Sequence, residues 1–208
     1  MALRHIRSAL LTGLALAGCV GALTAAGAQA PRPLAMDTAR VTIAGTSNIH
    51  AYTASTTTVR VTRVALGSGV AGPAFWDAVA KPGGLEAFEV AIPAAQLTSP
   101  KEGLDKNMHK ALKVQEHPDI TFRLTAIEPA AAAGALQARG VLRIAGVERH
   151  VVLNLTAERH DATLTVKGTL DLLMTDYGIT PPKAMLGMLK TDPKIVVTFE
   201  VVLSAPLT

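Results

Sequence analysis

Apolar and polar residues alternate along most of the chain after about residue 40. In "KIVVTFEVVL", Ile195, Val197, Phe199, Val201 and Leu203 share one face, and Thr198 and Glu200 share the other. "ATLTVKGTLDLLMT" groups Leu164, Val166, Leu170, Leu172 and Met174 against Thr165, Lys167, Thr169 and Asp171. "DITFRLTAI" sets Ile120, Phe122 and Leu124 opposite Thr121, Arg123 and Thr125, and "HVVLNLT" groups Val151, Leu153 and Leu155. A period of two places successive side chains on opposite faces of a strand, so each segment predicts a strand with one face inward. "RVTIAGTSNIHAYT", "TTTVRVTRVAL", "LEAFEVAIPA" (with Phe88 and Val90) and "LQARGVLRI" bring the number of strand candidates to about eight. The tight links at "IAGVER", where Gly146 accepts positive φ, and at "RHDA" predict antiparallel neighbours. One shared apolar interior then implies a closed barrel or a sandwich, and a barrel removes the exposed edges.

Three stretches break the alternation. Ser68–Gly84 is rich in Gly and Pro and predicts a loop with one helical turn at "AFWDAV". "PAAAAGA" from Pro129 to Ala135 predicts a turn. In "SPKEGLDKNMHKALKV", Leu104, Met108, Ala111 and Leu112 return at helical spacing, which predicts an amphipathic helix over about 100–114. Ser99 fits its N-cap, Pro100 its first position, and Glu102 completes a capping box. Pro118 disfavours helix at His117, so the helix hands over to the strand there. His109 then reads as a solvated histidine four residues after Asp105, and His117 as a corner residue able to bond free carbonyls. Their spacing of eight across a proline is poor for a metal, and no metal site is assigned.

The N-terminus differs in kind. Arg4, His5 and Arg7 precede an uncharged Leu/Ala/Gly run that ends in small residues, the layout of an export signal. "AGA" predicts cleavage after Ala28, leaving Gln29–Asp37 as an extended tether and 38–208 as one domain. "LAGC" offers a second route, a lipoprotein acylated and anchored at Cys19. The expected location is the periplasm by either route.

Composition narrows the function. Hydrophobic residues make up 49% and charged residues 17%, a globular balance. Aromatics are 3%, so the interior is walled by aliphatic side chains and offers little for stacking ligands. The net charge is +4, halved if Arg4 and Arg7 are removed, and no basic cluster supports nucleic-acid binding. Cys19 is the only cysteine, so cleavage after Ala28 leaves no thiol nucleophile. No G-x-S-x-G or H-E-x-x-H motif is present, and nothing in the spacing calls for catalysis or a cofactor.

Four passages together carry a family resemblance: "VTIAGTSNIHAYT", "GLDKNMHKALKVQEHPDITFRL", "GVLRIAGVERHVVLNL" and "MTDYGITPPKAMLGMLKTDPKIVVTFEVVL". In this order the chain resembles the YceI-like family of exported lipocalin-like barrels, over roughly Arg40 to Leu203. The resemblance implies an all-β fold, a single eight-stranded antiparallel barrel with one helix and short helical turns. It also implies an apolar cavity that in some members holds a polyisoprenoid or other fatty-chain lipid. The function expected is non-catalytic lipid binding, with membrane contact one option for lipid exchange. The chain departs from the family in its few aromatics and its Gly/Pro-rich Ser68–Gly84 insert. A ligand-free, stress-related accessory barrel with a side-chain-filled interior is the alternative, and the sequence leaves the oligomeric state open, a homodimer being one option. The expected lining is Phe88, Val90, Ile120, Phe122, Leu124, Val151, Leu153, Leu155, Leu170, Leu172, Met174, Val197, Phe199 and Val201. The expected mouth groups are His50, Tyr52, Asp176, Tyr177 and Lys183. Met174, Met185 and Met188 suggest an adaptable entrance.

Overall fold

The computed structural model describes residues 34–130, 135–184 and 188–206. The export segment and most of "PAAAAGA" lie outside the described residues, as does Met185. The strands are β1 (Ala35–Ser47), β2 (Ala51–Thr56), β3 (Arg60–Leu66), β4 (Leu85–Pro93) and β5 (Asp119–Pro129). They continue with β6 (Ala135–Ile144), β7 (Val147–His160), β8 (Thr163–Leu173), β9 (Lys183–Ala184) and β10 (Leu189–Ser204). Two helices interrupt them, α1 (Phe75–Val79) and α2 (Glu102–Ala111).

All strands form one antiparallel sheet ordered β2-β1-β10-β8-β7-β6-β5-β4-β3, with the short β9 on β10. The two ends of that path, β2 and β3, are consecutive in sequence, so the sheet curls back toward itself. No ladder joins them among the described residues. Among the described residues β2 is bridged instead to the segment after β4, where Ser55 and Thr98 exchange backbone hydrogen bonds of 2.8 and 3.1 Å. The alternation predicts the antiparallel strands around one interior, and the lipocalin-like all-β architecture is the one the family resemblance implies. The strand count differs from eight for two reasons. "SNIH" breaks the first predicted strand into β1 and β2, and the chain before β10 adds the two-residue β9.

The boundary at residue 38 also moves. β1 starts at Ala35, paired with Ser204, and Leu34 is buried, so the end of the predicted tether belongs to the sheet. The turn at Ala145-Gly146 has φ of 48° and 83°, the paired positive values of a tight hairpin. A Cβ at Gly146 would strike the His117 ring, so His117 packs on that hairpin.

The helix is shorter than the sequence suggests. It begins at Glu102 with Lys101 as its cap residue, and the Ser99 hydroxyl instead brackets Lys101 through its own backbone. The expected capping box is absent: Asp105 accepts from the Ser99 amide at 2.8 Å, so Asp105 holds the entry. The helix ends before Pro118 acts, because Lys113 turns left-handed at φ 52°. His109 is half-buried rather than solvated, its Nε2 2.8 Å from the Leu97 carbonyl, and ties α2 to the segment after β4.

Candidate functional site: an apolar cavity inside the sheet

The inward faces do not fill the space they enclose. No large side chain among those described falls below 2% exposure, whereas a packed core would hold several. The sheet instead surrounds a cavity of about 780 Å³. That lies within the roughly 300–1,000 Å³ typical of ligand pockets.

The aromatics explain part of this hollow. The Tyr52 ring covers Gly45, its ladder partner across β1 and β2. Phe122 covers Gly140, and Phe199 covers Gly168, its partner on β8. Each ring occupies the place where a neighbouring Cβ would stand, so it lies against the wall rather than across the lumen. Glycine weakens a strand but permits this close approach.

One end of the cavity is plugged. Phe75 and Trp76 of α1 are buried against Leu34 and Leu203, their rings edge-to-face with centroids 5.0 Å apart. Trp76 Nε1 donates to the Ala162 carbonyl at 3.3 Å, and Arg159 reaches Pro73 O and Asp77. The insert that breaks the alternation is therefore the plug. At the other end one side of the wall is a cluster of Ile144, Ala145, Leu172, Tyr177 and Ile179, backed by Ala111 and Leu112. The apolar face of α2 thus lines the cavity, with Leu104 and Met108.

Most of the polar lining gathers at one rim: Ser47, His50, Tyr52, Ser99, Lys101, Asn107, Lys183 and Thr191. We take this rim, between the β1–β2 turn, α2 and β9, as the mouth. His50 is exposed, and its carbonyl accepts from the Ser47 hydroxyl at 2.8 Å. Lys183 is exposed on β9. Tyr177 is 3% exposed, lines the cavity, and its hydroxyl has no partner among the described protein groups. An unpartnered buried hydroxyl costs about 1–3 kcal/mol.

Of the fourteen predicted lining residues, thirteen border the cavity, and Val151 does not. Val151 pairs with Gly140, the site the Phe122 ring covers, and packs into the Ala138–Leu153–Leu155 cluster. Of the mouth residues, Asp176 is misplaced by the sequence reading. It is exposed on a short 3-10 turn and outside the lining, while its neighbour Tyr177 turns inward. Met174 lines the cavity, and Met188 stands 64% exposed beside the mouth. Sequence reasoning missed Leu34, Met36, Val41 and Ile43 at the start of the sheet and Trp76 and Val79 in α1. The apolar alternation in "VTI" signalled Val41 and Ile43; nothing local signalled that α1 folds back across the barrel end.

Burial raises the pKa of both tyrosines. At Tyr52 the Asp192 charge adds to it; at Tyr177 Arg149 opposes it and Asp176 adds. The unfolded chain therefore releases these phenol protons first. Above about pH 10 the unfolded state binds fewer protons, and stability falls as pH rises through the folded values. Melting temperature should drop on the alkaline side, with a smaller drop in a Tyr52→Phe/Tyr177→Phe double variant. An identical alkaline slope in that variant would assign the effect elsewhere.

A family model described as a YceI-like domain matches residues 35–203. The chain belongs to the YceI-like family. The match starts at the first residue of β1 and ends within β10, so it covers the entire curled sheet. No curated protein matches in sequence. Among solved structures, BcnA of Burkholderia cenocepacia is similar at 15% identity and a TM-score of 0.62, covering 79% of this chain and 95% of its own. A polyisoprenoid binding domain from Saccharophagus degradans, implicated in plant cell wall breakdown, is similar at 13% identity and a TM-score of 0.61, covering 84% and 99%. A YceI protein of Campylobacter jejuni is similar at 16% identity and a TM-score of 0.54, covering 73% and 82%. At these identities the likeness is one of fold, and this YceI-like chain keeps that fold around its own lining.

Proposed function

We propose that this YceI-like protein binds one long-chain apolar lipid, a polyisoprenoid or fatty chain, inside the cavity and performs no chemistry on it. The observation that carries the reading is the hollow itself: about 780 Å³ walled by Val, Leu, Ile, Met and Phe. Each methylene moved from water into such a lining gains about 0.8 kcal/mol, so a long tail binds tightly without hydrogen bonds. The polyisoprenoid binding named for the Saccharophagus degradans domain supports the ligand class. The hollow speaks against the filled accessory barrel, whose side chains would occupy that volume. His50, Tyr52 and Lys183 stand where a polar head would emerge.

The location proposed is the periplasm. It rests on the charged, apolar and small-residue sequence of the first 28 residues, with anchoring through Cys19 as the other route. Mass spectrometry on protein from a bacterial envelope tests both. Native and denatured masses should differ by one prenyl or acyl lipid, and the denatured mass reads cleavage after Ala28 or acylation at Cys19. Equal native and denatured masses from freshly prepared protein would overturn the cargo reading.

A further inference from the structure

We propose that the mouth rim is a docking surface for an anionic lipid bilayer. Three observations meet there. First, Ile49 and Met188 are among the most exposed large apolar residues of the described chain, at 58% and 64%. They stand on two turns fastened to each other. Asn48 Nδ2 donates to the Met188 carbonyl at 2.9 Å, and the Lys190 amide donates to Asn48 Oδ1 at 2.8 Å. The Asn48 amide also donates to the Lys190 carbonyl at 3.1 Å. The two apolar tips are therefore held in place, as paired wedges need to be.

Second, the charge beside them is unbalanced. Lys183 and Lys190 are ladder partners between β9 and β10. Like charges directly opposite one another oppose strand pairing. Neither lysine makes an ion pair among the described residues. Asp192, the nearest acid along β10, accepts from the Lys194 amide instead. An external anion array is what this pair lacks.

Third, the surface is continuous with the cavity. Lys183, Lys101 and His50 belong both to the lining and to this rim. Apolar tips beside a lysine pair, next to the mouth of an apolar cavity, suit an interface where tails lie just beneath anionic phosphates. Exposed apolar side chains enter the acyl boundary, and each lysine adds attraction to the anionic surface. An acidic protein partner would meet the lysines but would leave the cavity mouth facing protein rather than lipid tails.

The inference supplies a route for the cargo proposed above, and the two fail separately. Full-length processed protein would be sedimented with phosphatidylcholine vesicles and with phosphatidylcholine–phosphatidylglycerol vesicles, at low and high salt. Binding should require phosphatidylglycerol and weaken with salt. Lys190→Glu should reduce it by about tenfold or more. Ile49→Ser/Met188→Ser should reduce it at every salt concentration. Neither substitution changes a residue assigned to the cargo site, so native mass should still show bound lipid in both variants. Wild-type protein that stays in the supernatant with both vesicle types overturns the surface. So does vesicle binding that both variants retain in full. Empty protein that still binds the vesicles supports the surface and overturns only the cargo reading.

Discussion

Replacing Trp76 by alanine should cost about 3–5 kcal/mol of stability, the range for truncating a buried Trp. The chain has one Trp, and it does three things at once. It packs edge-to-face on Phe75, it donates to the Ala162 carbonyl in the β7–β8 turn, and it borders the cavity. α1 has five residues, far too few to hold a helix by its own hydrogen bonds. Its position depends on these contacts and on Arg159 beside Asp77. Losing Trp76 therefore weakens the plug as a unit, not one contact. For a domain of this size about 1 kcal/mol shifts the melting temperature by roughly 2–4 °C, so a fall of about 10 °C is expected. Trp76→Phe keeps the buried ring and loses only the hydrogen bond, so its cost should be about 1 kcal/mol. Urea unfolding measures both, and amide exchange in residues 72–84 should accelerate selectively in Trp76→Ala. A cost below about 1 kcal/mol for the alanine variant would show that the barrel end holds without its plug.

The contrast between this plug and the strands shows what the sequence could reveal. Period-two alternation is a local signal, written in neighbouring residues. It placed Ile195, Val197, Phe199 and Val201 on the inner face, where they stand. The same signal failed at Val151, because whether an inward residue reaches the lumen depends on what covers it. Here that is the Phe122 ring, packed over Gly140 from a different strand. Asp176 failed for a related reason. A short 3-10 turn has neither the period of a strand nor that of a helix, so the inward turn of Tyr177 and the outward turn of Asp176 left no mark in the sequence. The helix boundaries shifted because Asp105 competed with Glu102 for the amide of Ser99, a choice settled by geometry. The cavity was the least legible feature. An aliphatic interior can be full or empty, and which occurs depends on where the seven aromatic side chains lie, four of them on different strands.

Those aromatics lead to the second large effect. Gly168→Ala should fold, yet should shorten the lipid that the protein retains. Gly168 lies between two inward ladder partners, Leu155 on β7 and Phe199 on β10. A Cβ there would strike the edge of the Phe199 ring and the end of Leu155. The backbone is fixed by ladders on both sides, so the ring is the part that yields. Its free direction is toward the lumen. Overpacking of this kind costs about 1–3 kcal/mol of stability, leaving most molecules folded. The larger consequence falls on the cargo. A ring displaced into the cavity that excludes two or three methylenes removes about 2 kcal/mol of binding, roughly thirtyfold, from the longest chains. Chains short enough to stop before Phe199 should bind as before. A graded series of prenols or fatty alcohols, weighed by native mass spectrometry on wild type and variant, reads this as a change in length preference. Gly168→Ala/Phe199→Leu should restore the long chains, because the smaller side chain leaves room for the new methyl group. A uniform loss across all lengths would instead point to general damage. Unchanged retention of the longest chains would mean that the tail does not run past Phe199, and that the ligand occupies only the mouth half of the cavity.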